Sequence, residues 1–136
     1  MNPMLWNIGL KIEELDTEIG FLEAIGAKLR YRERRINPSG GKYNTALLEF
    51  GGTRAFLVDE PVFEHKLEHQ LISGLTHIVF EVDNLAEAYV QITGLGAKVL
   101  IEPKLVSGGY GSRRIAFFQS PNGLVFEMIE ILEAKV

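Results

Sequence analysis

The sequence predicts an α+β domain in which two βαβββ units form curved mixed sheets around a cavity. Three observations predict it. The chain repeats itself at a constant offset; each copy passes from alternating to helical spacing; and glycine-bearing polar turns cut the rest of each copy into three short strands.

Sliding the chain against itself by 70 residues aligns it without a gap, placing Gly26-Ala27-Lys28 on Gly96-Ala97-Lys98. At the same offset Leu5 meets Leu75, Ile8 meets Ile78, Leu15 meets Leu85, Gly41 meets Gly111, Ala46 meets Ala116 and Phe56 meets Phe126. A three-residue match would be noise, whereas a constant register along the whole unit implies duplication. The units span about 4–60 and 74–132, with 61–73 as linker, within a single domain.

Each copy opens with a half-buried strand, since Trp6, Ile8, Leu10 and Ile12, or Ile78, Phe80 and Val82, take every second position. Asp16 and Asn84 follow as N-cap types, ahead of apolar residues at helical spacing: Ile19, Leu22 and Ile25, then Tyr89, Ile92 and Leu95. Gly26 and Gly96 stand where a helix end takes a left-handed residue. Strands are expected near 28–35, 43–50 and 54–58, and again near 98–102, 113–119 and 124–131. The turns between them carry Asn37-Pro38-Ser39-Gly40-Gly41, Gly51-Gly52, Ser107 to Gly111, and Pro121-Asn122-Gly123. One helix hides one face of a four-stranded sheet, so the opposite faces should line a cavity or meet another chain. By alternation Leu5, Asn7 and Gly9, and Leu75, His77 and Val79, point to that inner face.

At 136 residues and 46% hydrophobic, the chain suffices for one core. A net charge of −4 and a pI near 5.4 offer no positive field for nucleic acid. No apolar run approaches the ~20 residues of a spanning helix and the first residues carry no leader pattern, so a cytoplasmic protein is expected, with no membrane partner. The absence of cysteine removes disulfides and thiolate chemistry.

The paired units, the strand Leu75-Thr76-His77-Ile78-Val79-Phe80-Glu81-Val82, and the closing Ser120-Pro121-Asn122-Gly123-Leu124-Val125-Phe126-Glu127 resemble the glyoxalase/bleomycin resistance protein/dioxygenase (vicinal oxygen chelate) superfamily over essentially the whole chain. The resemblance implies a divalent metal, such as Zn, Ni, Mn, Fe or Co, held by residues of the first and last strands of each unit. In the second unit His77 and Glu127 match those ligand positions. The first unit departs, with Asn7 and Leu57 at the same offset, so the implied ligand set is incomplete. Glu127 and Glu49 are candidate catalytic bases, and Asn7 a candidate substrate contact. The resemblance also implies a homodimer.

Three further patterns carry weaker expectations. His65-Lys66-Leu67-Glu68-His69 has the H-x-x-E-H spacing of inverted zinc peptidases, yet it lies in the linker and reads as a solvated helix. Arg30 and Arg32 are candidate contacts for an anionic ligand if Leu29 and Tyr31 pack on the helix; otherwise they protect an edge strand. Gly108 to Arg114 is a flexible hairpin loop or a lid, with Tyr110 and Arg113 as substrate contacts.

Beside a regulatory or interaction domain without a ligand, which the fold alone permits, two functions stand open. One is a metal-dependent lyase, isomerase, epimerase or dioxygenase acting on a small oxygenated metabolite. The other is a metal-free protein of the bleomycin-resistance type that binds or sequesters a small molecule, in which His77 and Glu127 hydrogen-bond one another.

Overall fold

A computed structural model describes residues 1–37 and 40–136; Pro38 and Ser39, within the first expected turn, lie outside them. Contacts group the chain into two compact units, Asn7–Thr76 and Met1–Trp6 with His77–Val136. The connector 61–73 thus falls in the first unit and the opening residues in the second.

In the first unit β1 (Met4–Lys11) leads to α1 (Leu15–Ala24), then β2 (Lys28–Ile36), β3 (Lys42–Phe50) and β4 (Thr53–Val58). The strand order is β2-β3-β4-β1, with β1 parallel to β4 and the other pairs antiparallel. Leu15 and Ile19 of α1 pack on Ala46, Leu48, Ala55 and Leu57, with Ile8, Leu10 and Leu29 at the margin. The second unit repeats this with β5 (Gly74–Glu81), α2 (Leu85–Gly94), β6 (Lys98–Gly108), β7 (Gly111–Gln119) and β8 (Val125–Ala134), ordered β5-β8-β7-β6. Its helix face gathers Leu85, Ala88, Ile92, Ala116, Phe118 and Met128. Among the described residues no helix is long and apolar enough to cross a membrane.

The helix ends differ from expectation at Asp16, Ile25 and Leu95. Asn84 caps α2, its Oδ1 accepting from Glu87 N at 3.0 Å. Asp16 does not cap α1: it lies in the first turn, where its carboxylate pairs with Arg32, and the cap position is Glu14 without a side-chain bond. Ile25 and Leu95, expected on the buried stripes, follow the last helical turn and are exposed. Asn84→Ala should therefore cost ~1 kcal/mol, a fall of ~4 °C in Tm, while Asp16→Ala should cost well under half of that; thermal melts of the two variants check it.

Two bulges decide which side chains reach the faces away from the helices. On β2 the register slips between Leu29, opposite Leu48, and Tyr31, opposite Leu47. Beyond this slip the phase inverts, so Tyr31 leaves the helix side and Arg32, opposite Ala46, joins it. On edge strand β6 the register slips between Val99 and Ile101 and again between Ile101 and Lys104, where Pro103 is tolerated because an edge strand can spare an amide donor. Pairing with β7 then continues to Gly108 opposite Gly111, well past the expected end near residue 102.

The connector is not a helix. A single 3-10 turn at Glu64–Lys66 ends at the extended Leu67 and the chain then bends through His69, so His65 and His69 share no helical face. Lys11 holds the connector in place: its buried Nζ donates to Glu64 Oε2 at 2.7 Å and to Leu71 O at 2.8 Å, and Leu71 N donates to the same carboxylate at 2.7 Å.

Candidate functional site

The second unit's face away from α2 carries the titratable pair. Val79 on β5 stands beside Glu127 on β8, and Phe117 on β7 stands on the other side of Glu127. His77, two residues before Val79 and so on the same face, is 4% exposed with its ring 5.5 Å from that of Phe117. His77 Nε2 lies 3.9 Å from Glu127 Oε1, beyond hydrogen-bond reach, so the expected direct bond between them is absent.

Apolar walls determine the protonation of this pair. Val79, Ile115, Phe117 and Ile129 are all buried there. Burial pushes the His77 imidazolium down to about 4, so the ring is neutral with a lone pair to give. Burial likewise pushes the Glu127 carboxyl up to about 8, against the pull of the Arg113 and Lys104 charges.

Farther along β7, Arg113 is 5% exposed, its guanidinium carbon 4.5 Å from the Trp6 ring centroid and 4.0 Å from that of Tyr110. Arg113 Nη2 donates to Tyr110 O at 3.4 Å, and Lys135 N donates to the same carbonyl at 3.1 Å. The expected hairpin is a tight one, with Gly109 and Tyr110 between the paired Gly108 and Gly111.

The first unit holds the other expected residues. Asn7 is 4% exposed, and its Oδ1 has no hydrogen-bond partner among the described residues. Glu49 faces away from α1 and pairs with Arg30 at 3.8 Å, both side chains about a third exposed. Arg32 is turned to the helix side, where Asp16 takes it, because of the β2 bulge. Leu57 also needs correction. Gly9 pairs with Phe56 just as Val79 pairs with Glu127, so the residue matching Glu127 is Phe56, while Leu57 is wholly buried under α1. The longer turn before β8 slips the repeat by one residue: Phe50 meets Thr53 across Gly51-Gly52, whereas Gln119 meets Val125. Leu5 and Leu75, expected inward, are exposed.

A divalent ion fits His77 and Glu127 as two of its ligands. An imidazole nitrogen and a carboxylate oxygen are donors of the right kind, and their 3.9 Å separation is somewhat wider than the ~3 Å between neighbouring ligands at bonds of ~2.0–2.2 Å. Among the described residues no group of three or more His, Asp or Glu side chains converges on a metal position. His65, Glu68 and His69 instead line an open groove of about 680 Å³ in the first unit.

Trp6, Lys104 and Lys11 escape sequence reading. Alternation with Ile8 and Leu10 assigns Trp6 to the helix side, yet its ring meets Arg113. Lys104 lies past the expected end of its strand. Lys11 looks like an ordinary surface cation until the connector folds over it.

The chain is 32% identical over 127 residues to the lactoylglutathione lyase of Salmonella typhimurium, covering 92% of this chain and 90% of that protein. It is 31% identical over 122 residues to a probable chloroplastic lactoylglutathione lyase of Arabidopsis thaliana, covering 88% of this chain but spanning only 33% of that longer protein. Among solved structures, a variant of Streptomyces coelicolor methylmalonyl-CoA epimerase in complex with 2-nitronate-propionyl-CoA superposes with a TM-score of 0.70 at 23% identity, covering 98% of this chain and 97% of that one. That likeness concerns the fold. The family profile matches residues 12–128, and with it the chain belongs to the Glyoxalase/Bleomycin resistance protein/Dioxygenase superfamily.

Proposed function

We propose that the chain is a divalent-metal-dependent enzyme of the glyoxalase type, a lyase, isomerase, epimerase or dioxygenase acting on a small oxygenated metabolite. The observation that carries this reading is the buried His77–Glu127 pair, set on the first and last strands of the second unit. Lactoylglutathione lyase relatives at 32% identity support it. We read the chain as one glyoxalase-like domain of tandem units, about 4–60 and 74–132 joined by 61–73, and as a cytoplasmic homodimer.

His77 and Glu127 would hold the ion, which when bound supplies Lewis-acid stabilisation of negative charge on substrate oxygen. The chain's own residues do the rest. Val79, Ile115, Phe117 and Ile129 keep water from the pair. His77 presents a neutral nitrogen. Glu127, with its carboxyl pushed up to about 8, has a base strength matched to moving a proton near neutral pH wherever it stands outside the metal shell. Glu49, paired with Arg30 in the other unit, is the second candidate base. Asn7 brings a buried amide oxygen; leaving such an acceptor without a donor costs ~1–3 kcal/mol, which supports a ligand contact there.

Metal content decides the reading. Protein purified without chelator or affinity-tag metal should carry, or take up, close to one equivalent of Ni²⁺, Mn²⁺, Fe²⁺, Zn²⁺ or Co²⁺, and His77→Ala should lose it. Because Glu127 must give up its proton, uptake should be tighter at pH 8.5 than at pH 6.5. Phe56 opposite Gly9 favours the second reading, a metal-free protein that binds or sequesters a small molecule. Absence of metal from both wild type and His77→Ala would establish that reading and discard the first.

A further inference from the structure

We propose that Phe117 is the positioning residue of the buried pair: its ring holds the His77 imidazole in place beside Glu127 and so sets how tightly the two take a divalent ion. The proposal deepens the reading above and rests on its claim that His77 and Glu127 are ligands. Phe117 is placed to act on both. It is the direct β7 partner of Glu127, and its ring lies 5.5 Å from that of His77 with the planes tilted by 53°.

That ring contact is made across a strand. β8 runs between β5 and β7, with Val79 beside Glu127 on one side and Phe117 on the other. His77 precedes Val79 by two residues. Strands that flank a third lie ~9.6 Å apart and two residues span ~6.7 Å, which puts the backbones of His77 and Phe117 ~12 Å apart. Ring centroids at 5.5 Å therefore require both side chains to lean over β8, the strand that carries Glu127. An imidazole turns about a soft torsion, so its plane is fixed by what packs on it. Phe117, 5% exposed in a close-packed interior, is such a stop. Groups that orient a ligand matter to the ion as well as the ligand does, and losing one typically costs ~10–100-fold in affinity.

The repeat carries its own comparison. At the 70-residue offset Leu47 takes the place of Phe117, and Leu47 faces Phe56 across β3 and β4 as Phe117 faces Glu127 across β7 and β8. With Asn7 at the place of His77, the unit that lacks the pair also lacks the ring at this position. The βαβββ unit thus accepts leucine here, and the phenylalanine goes with the pair.

Phe117→Leu writes the first unit's residue into the second, and Phe117→Ala removes the bulk as well. Phe118→Leu is the matched control, a change of the neighbouring buried residue on the α2 side. In metal-free protein, carbon relaxation of the His77 ring by NMR should give an order parameter of ~0.85 in wild type and Phe118→Leu, and of ~0.6 or less in Phe117→Ala. Co²⁺ titration followed by visible absorption should show binding weakened roughly threefold in Phe117→Leu and at least about tenfold in Phe117→Ala, with altered bands, and unchanged in Phe118→Leu. If circular dichroism shows Phe117→Ala unfolded, Phe117→Leu carries both measurements. A His77 ring as rigid in the folded Phe117 variants as in wild type, Co²⁺ held as tightly by them, or the same losses in Phe118→Leu would each overturn the proposal and leave the pair as ligands. Failure of wild type to take up Co²⁺ would instead overturn the metal reading, and the proposal with it.

Discussion

Gly111→Ala is expected to destabilise the protein by ~3 kcal/mol, with a fall of ~10 °C in Tm. The backbone at Gly111 has φ +108°, which side-chain-bearing residues rarely adopt. A Cβ there would lie 1.8 Å from Glu133 O and 3.1 Å from Lys135 N, both main-chain atoms of the last strand and its exit. Neither can move without breaking the pairing of Gly111 with Ala134 or the bond from Lys135 N to Tyr110 O. The second of these bonds holds Tyr110, whose ring lies 4.0 Å from the Arg113 guanidinium carbon, so damage to the hairpin reaches that contact. Gly20→Ala is the matched control. It lies inside α1 with nothing within 4 Å of its added Cβ, and there alanine should stabilise by ~0.5–1 kcal/mol. Equal melting temperatures for Gly111→Ala and wild type would mean that β8 yields at this point and that the hairpin is not pinned.

The repeat was legible because it is written in local chemistry. Gly26 and Gly96 both take positive φ, Asn84 caps as its side chain dictates, and alternation places His77 on the face away from α2. Offset arithmetic succeeded wherever the two units have turns of equal length. It failed after β7, where the longer turn shifts Glu127's counterpart from Leu57 to Phe56. Phe56 is as apolar as Leu57, so the first unit has no carboxylate at the place of Glu127. Strand phase was harder. A bulge adds one unpaired residue, and nothing in Lys28-Leu29-Arg30-Tyr31-Arg32 marks where it falls; β3 sets it by matching Leu29 to Leu48 and Tyr31 to Leu47. Arg32 changed sides for that reason. Trp6 was hidden by a different cause. A sequence reading presumes that one strand serves one unit, whereas Met1–Trp6 group with the second unit and Asn7 onward with the first. The facing of His77 and Glu127 was read from residue type and strand position, and the contact of Trp6 with Arg113 is tertiary in origin.

Metal-stripped wild type is expected to lose ~2 kcal/mol of stability between pH 6.5 and 8 from one group, Glu127, and Glu127→Gln is expected to abolish that loss. In the unfolded chain this carboxyl titrates near 4.5, and in the folded protein near 8. Between those values the folded state binds the extra proton, so stability falls as pH rises through the window. His77 acts in the opposite sense: the unfolded imidazole charges below 6.5 while the folded one stays neutral down to about 4, so stability from this group rises with pH over that range. Between pH 4.5 and 6.5 the two slopes cancel and the pair contributes a plateau. Above 6.5 only Glu127 remains, and 1.5 pH units at ~1.4 kcal/mol each give the ~2 kcal/mol. Urea unfolding midpoints from pH 5 to 8.5 measure this directly. Glu127→Gln keeps the shape and removes the proton, so its curve should stay level where that of wild type declines. A wild-type decline that persists unchanged in Glu127→Gln would mean that Glu127 is already ionised in the folded protein. Its burial against Val79 and Phe117 would then not set its protonation, and the tightening of metal uptake with pH would lose its basis. A decline removed by the substitution would place on Glu127 the same proton that a bound metal has to displace, linking the stability of the empty fold to the affinity of the site.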